Sequence, residues 1–134
     1  CLRSPGFIRR QLAAAQKTIS EAAGVTPGVF RAPYGVRWFG LRRAQEELGL
    51  TGVMWTAIGR DWVLSADKIV DRLLAGVSNG AILCLHDART TRPDPDIRAT
   101  IEAAGRLLAE LRRRGFQFET VSEILQPGAP RNAP

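Results

Sequence analysis

Asn79-Gly80-Ala81-Ile82-Leu83-Cys84-Leu85-His86-Asp87 is the stretch that decides the fold class. Asn79-Gly80 marks a turn. The run that follows, 81–85, is apolar at every position, as expected of a central parallel strand covered on both faces. It ends in the only histidine of the chain, with Asp87 next to it.

Upstream of this strand, Ser65 is placed to cap a helix that runs to about residue 75 and turns Ile69, Leu73 and Leu74 inward. Residues 52–56, Gly-Val-Met-Trp-Thr, have the branched and aromatic side chains of a strand, and 39–48 forms a helix stopped by Gly49. Pro27-Gly28 turns the chain into a short strand at 29–31, which runs into the Pro33-Tyr34-Gly35 corner. The first helix starts at Ser4-Pro5 and continues to about residue 23, with Phe7, Ile8, Leu12, Ala15 and Ile19 as its apolar stripe and Gly24 as its stop. Downstream, 89–95 is a polar loop containing proline. A long amphipathic helix over 97–114 follows, through Ile101, Leu107, Leu108 and Leu111, and Gly115 closes it. Phe116-Gln117-Phe118 alternates like a last strand, 121–125 makes a short helix, and 127–134 reads as a disordered tail after a domain spanning 1–126.

Strand and helix thus alternate, each helix long enough to cross back over a sheet. That order calls for an α/β fold with parallel strands and right-handed crossovers. The alternation by itself fits a barrel segment and an open doubly wound sheet equally. No glycine-rich phosphate loop follows any strand, which removes support from a nucleotide-binding sheet.

The composition suits a globular domain, with 134 residues, 45% of them hydrophobic and 24% charged. No run is long enough for a membrane span. The formal charge is +6, from 19 Lys and Arg against 13 Asp and Glu. The cations are interleaved with acids on the helices, as on a solvated face, and no nucleic-acid motif accompanies them, so nucleic acid is not an expected partner. The same charge suits an acidic cell-wall polymer. Two cysteines do not make a disulfide framework; Cys84 sits in the apolar strand as a small core residue. The start, Cys1-Leu2-Arg3-Ser4-Pro5, has neither methionine nor an apolar leader and reads as cut, so the chain does not reveal its compartment.

Three short pieces follow strand ends, the edge on which α/β enzymes build their sites. They are Phe30-Arg31-Ala32-Pro33-Tyr34-Gly35, Arg60-Asp61-Trp62 and Leu83-Cys84-Leu85-His86-Asp87. Singly, each has a plain structural reading. His86 suits a core histidine bonded to a backbone carbonyl, Asp61 a cap on the turn before a helix, Trp62 a packing residue and Arg31 a surface ion pair. As an ordered set they resemble the third, fourth and fifth motifs of the polysaccharide deacetylases, the NodB-like carbohydrate esterases of family 4. The family's first two motifs, an Asp-Asp pair and a His-x-x-x-His metal pair, have no match in the chain.

That resemblance implies a partial, distorted (β/α) barrel of the NodB type that lacks its opening strands. It implies part of a metal-dependent hydrolase that removes N-acetyl groups from amino-sugar polysaccharides such as chitin or peptidoglycan. By the same resemblance His86 is the general acid, and Asp61 holds and tunes it, a nearby carboxylate favouring the imidazolium. Arg31 braces the family's catalytic aspartate. Pro33 sharpens a corner from which the Tyr34 amide points at the oxyanion. Trp62 walls the sugar groove, and Leu85 and Cys84 line a pocket for the acetyl methyl. The cation, the carboxylate and the imidazole are expected to converge on one cleft rim.

A divalent, zinc-like metal is implied for the complete domain and none is expected on this chain, because one histidine already engaged as acid leaves only carboxylates. Base and metal would lie upstream, and the chain by itself is expected to be inactive and to self-associate through an exposed barrel edge. The reading from a different class is a non-catalytic carbohydrate-binding α/β module, with Trp62 and Tyr34 as stacking surfaces.

Overall fold

The computed structural model describes residues 3–88 and 93–125. The fold divides at Met54–Trp55 into two compact units, each with its own helices and a pair of parallel strands. The tail expected at 127–134, and most of the polar loop expected at 89–95, fall outside the described residues.

In the first unit, α1 (Pro5–Ala23) opens as its sequence requires. The Ser4 hydroxyl accepts from the Phe7 amide at 3.3 Å, Pro5 occupies the first turn, and Gly24 ends the helix in the left-handed region at φ 69°. Strand β1 (Val29–Phe30) pairs in parallel with β2 (Thr51–Gly52), Val29 opposite Thr51 and Phe30 opposite Gly52. Helix α2 (Leu41–Glu47) starts two residues later than the sequence pattern indicates, since Gly40 holds φ 83°, a left-handed conformation that a helix cannot run through. Leu12, Ala32, Leu41, Ala44 and Leu50 form the core, with Ile8, Phe30 and Leu48 against it. The stripe expected along α1 is used only in part. Leu12 is buried and Phe7 and Ile8 half-buried, but Ala15 and Ile19 are exposed. Seven-residue α2 packs on α1 and is too short to cover nineteen residues of helix.

In the second unit, β3 (Ala57–Ile58) pairs in parallel with β4 (Leu83–Cys84), and α3 (Ala66–Ala75) forms the crossover between them. Thr56 N and Gly59 N extend the ladder by donating to Ile82 O at 2.7 Å and Cys84 O at 2.9 Å. Helices α3 and α4 (Arg98–Arg113) pack together, burying Ile69, Val70, Leu73, Ala103, Leu107 and Leu111. A capping box between Thr120 and Glu123 opens α5 (Val121–Ile124).

Four expectations change. The strand expected at 52–56 is split: its first residue ends β2, and the second ladder begins only at Ala57. Ser65 has the extended backbone of a cap, but its side chain makes no capping hydrogen bond. On α4 the inward face is Thr100, Ala103, Leu107 and Leu111, leaving Ile101 63% and Leu108 41% exposed. Phe116-Gln117-Phe118 is not a strand; Phe116 N donates to Leu111 O at 3.0 Å, folding the ring back onto the helix core, and Arg112 lies over the Phe118 ring.

Candidate active site

The chemistry of the second unit gathers at the C-terminal ends of β3 and β4. Gly59 is buried where β3 ends; a β-carbon there would stand 2.7 Å from Leu85 Cδ2 and 3.2 Å from Ile69 Cγ2, so any side chain would have to displace Leu85. Arg60 then takes φ 52°, uncommon for a residue with a side chain, and this corner turns Asp61 inward. Asp61 is 1% exposed.

Both carboxylate oxygens of Asp61 are engaged. Oδ1 lies 2.9 Å from His86 Nδ1; Oδ2 accepts from the His86 backbone amide at 2.8 Å and from the Thr100 hydroxyl at 3.0 Å. Burial, the largest single influence, pushes the Asp61 pKa up. Hydrogen bonds from the His86 ring, the His86 amide, its own amide and Thr100 outweigh it, and the net shift is downward. A carboxylate held ionised can only accept, so Nδ1 carries the proton and Nε2 is left for a substrate. The His86 side chain is 40% exposed, reachable from solvent while anchored from behind. The Trp62 indole meets the imidazole edge-on, with centroids 5.1 Å apart and planes at 84°, and Trp62 is itself 40% exposed.

Asp61, Trp62 and His86 are therefore brought together within one unit. Thr100 joins them, a residue the sequence reading passed over because a threonine inside an amphipathic helix gives no signal of its own. Cys84 is buried on β4, and Leu85 packs toward the core built by α3 and α4. Leu85 also lines an apolar cavity of about 560 Å³ with Ile82, Leu107, Phe116 and Ile124; Asp61, Trp62 and His86 do not line that cavity.

Arg31, Pro33 and Tyr34 belong to the first unit. Arg31 is exposed and donates from Nε to Val53 O at 3.4 Å. Pro33-Tyr34-Gly35 is a single tight turn in which Gly35 and Val36 donate to Ala32 O at 2.9 Å and Pro33 O at 3.2 Å. Tyr34 takes φ 56° and is 90% exposed.

A metal centre does not fit this donor set. Among the described residues no three His, Cys, Asp or Glu side chains are grouped to hold an ion. Among the described residues the buried carboxylate, Asp61, already accepts from the His86 ring, the His86 amide and Thr100.

An α/β unit with a carboxylate-held imidazole at its strand ends has the parts of a proton-transfer site. No protein-family model matches the chain. It is 34% identical over 123 residues to a chitooligosaccharide deacetylase of Sinorhizobium fredii, covering 87% of this chain and 57% of that protein. It is 28% identical over 118 residues to the peptidoglycan-N-acetylglucosamine deacetylase PgdA of Listeria monocytogenes, covering 87% of this chain and 23% of that protein. Among solved structures, a family 4 acetyl xylan esterase of Clostridium thermocellum, in complex with a cobalt ion, superposes with a TM-score of 0.77 at 28% identity, covering 92% of this chain and 57% of that one. The chain thus spans between a quarter and just over half the length of these proteins. In sequence and in fold the chain is thus similar to polysaccharide deacetylases and to carbohydrate esterases of family 4.

Proposed function

We propose that the chain supplies the proton-donating side of a deacetylase that removes N-acetyl groups from amino-sugar polymers of the chitin or peptidoglycan type. The observation that carries this reading is the Asp61–His86 pair: a buried carboxylate holds Nδ1 of a half-exposed imidazole, leaving Nε2 as the ring nitrogen not engaged by Asp61. In the reaction the imidazolium, the form a neighbouring carboxylate favours, delivers its Nε2 proton to the departing amine and ends as the neutral ring with its proton on Nδ1, where Asp61 holds it in orientation. Trp62 forms a wall against the sugar ring. Arg31 orients a carboxylate that acts as base, Pro33 and Tyr34 present an amide to the oxyanion, and Cys84 and Leu85 shape the apolar side of the acyl pocket. On this reading the base and the divalent metal belong to the Asp-Asp and His-x-x-x-His motifs, which have no match in the chain.

The test is acetate release from N-acetylchitooligosaccharides and from peptidoglycan by the protein in its full natural length, supplied with a divalent metal. His86→Ala is expected to lower kcat by roughly a hundredfold to ten-thousandfold, the usual share of a general acid. Unchanged turnover in that variant overturns the assignment. The 134-residue chain by itself is expected to release no acetate and to bind zinc weakly; tight binding with His86 intact contradicts the division of labour. Self-association of the short chain through an open strand edge completes the proposal, and a monodisperse monomer in sedimentation velocity opposes it.

The exposed rings of Tyr34 and Trp62 favour a second reading, a module that binds the glycan without hydrolysis. Glycan affinity that survives His86→Ala, with no acetate released by the full-length protein, selects it.

A further inference from the structure

Thr100 belongs to the third residue of α4, far along the chain from the three motif pieces, and nothing in their pattern points to it. Its hydroxyl is nevertheless one of the donors that close the shell around Asp61. The residue is 7% exposed on a face otherwise made of Ala103, Leu107 and Leu111, where an aliphatic side chain would be the ordinary occupant. A polar group kept at such a position is costly unless it is bonded, and here its bond goes to the carboxylate that holds the imidazole.

The geometry points to Thr100 as a positioning residue of the site: by donating to Asp61 Oδ2 it fixes the rotation of the carboxylate, so that Oδ1 stays in line with His86 Nδ1. Two donors meet at Oδ2, the His86 amide at 2.8 Å and Thr100 Oγ1 at 3.0 Å. The amide comes from the residue being oriented. Thr100 is on a different element, and ties the end of β3 to the first turn of a sixteen-residue helix. The positive end of that helix dipole adds to the same preference for an ionised carboxylate. Removing the hydroxyl takes away the donor that α4 supplies, so Oδ2 loses this tie to a separate element and the carboxylate can follow the His86 ring it should hold.

This inference deepens the reading of His86 as acid, and its test does not depend on turnover. The Asp61 carboxyl carbon is followed by NMR against pH in wild type, Thr100→Val and Thr100→Ser. Val keeps the shape of the side chain and removes the donor; Ser keeps the donor and removes a methyl group. The hydrogen-bonding groups that act on Asp61 are the His86 ring and amide, its own amide and Thr100. Thr100→Val is expected to move the Asp61 titration upward, toward the ordinary value of 3.8, while Thr100→Ser leaves it near wild type. A residue that serves only to pack α4 gives the opposite pattern: Ser, with its missing methyl, melts earliest, and the Asp61 titration is the same in all three proteins. That result overturns the inference. Acetate release by the full-length protein is measured alongside; its absence in wild type counts against the deacetylase reading and leaves the positioning role to the NMR result.

Discussion

Replacing Asp61 with Asn removes a charge and changes little in shape, so it isolates what the carboxylate does. The wild-type oxygens accept from the His86 ring, the His86 amide and the Thr100 hydroxyl, among other donors. An amide retains one accepting oxygen and turns an NH2 toward the donors at the other position. With its oxygen toward Nδ1–H, the Asn NH2 opposes the His86 backbone N–H; with the NH2 toward Nδ1, the ring must give up the Nδ1 proton and take the other tautomer. A buried polar group left without its partner costs about 1–3 kcal/mol. The half-exposed imidazole recovers part of any loss from water and the Thr100 hydroxyl can turn to accept, so the His86 backbone N–H is the donor with no alternative role. The cost comes to about 1–3 kcal/mol at neutral pH, a large part of the stability of a small domain.

The pH dependence fixes the sign. The folded Asp61 pKa is lowered below its ordinary value of 3.8, so the stabilisation is complete above that pH and disappears as pH falls through the folded pKa. Urea denaturation followed by circular dichroism at pH 7 and again near pH 2.5 is the assay. The gap between wild type and Asp61→Asn is expected to be wide at pH 7 and narrower in acid. A gap under about 0.5 kcal/mol at pH 7, or one that widens in acid, refutes the reasoning, since a surface substitution alone stays within that range.

Two other substitutions test the scaffold around the site. Leu73→Ala empties a fully buried position between α3 and α4 and is expected to cost about 2–5 kcal/mol in chemical denaturation. Gly59→Ala drives a β-carbon to within 2.7 Å of Leu85 Cδ2 at the strand end that precedes Asp61. It is expected to cost about 1–3 kcal/mol and to displace the His86 ring resonances, whereas an unshifted spectrum argues against the tight approach.

Much of the fold is legible in the sequence because its punctuation is strong. Ser4-Pro5 and Gly24 bound α1, and Gly49 and Asn79-Gly80 stand at turns, each through a local backbone preference that needs no partner. What the sequence does not show depends on partners far along the chain. Val53-Met54-Trp55-Thr56 has strand-forming side chains, yet the ladders form on either side of it, because pairing is decided by β1 and β4. Ile101 and Leu108 look inward by hydropathy, but the helix turns Thr100 and Ala103 to the core, and the reason for the threonine appears only with Asp61 in place. At the site the same distinction holds. His86 and Asp61 are recognisable from order and spacing, and the structure brings them to 2.9 Å with Trp62 beside them. The left-handed corner at Arg60 that aims the carboxylate has no signature in residue type.

Because the chain has a single histidine, the tautomer of its neutral imidazole can be read without assignment ambiguity from the ring nitrogen shifts of 15N-labelled protein. A buried, ionised Asp61 bound to Nδ1 predicts a proton on Nδ1 and a bare Nε2. A predominantly Nε2-protonated ring, or one averaging freely between the two forms, contradicts the central claim that this carboxylate holds His86 ready to act.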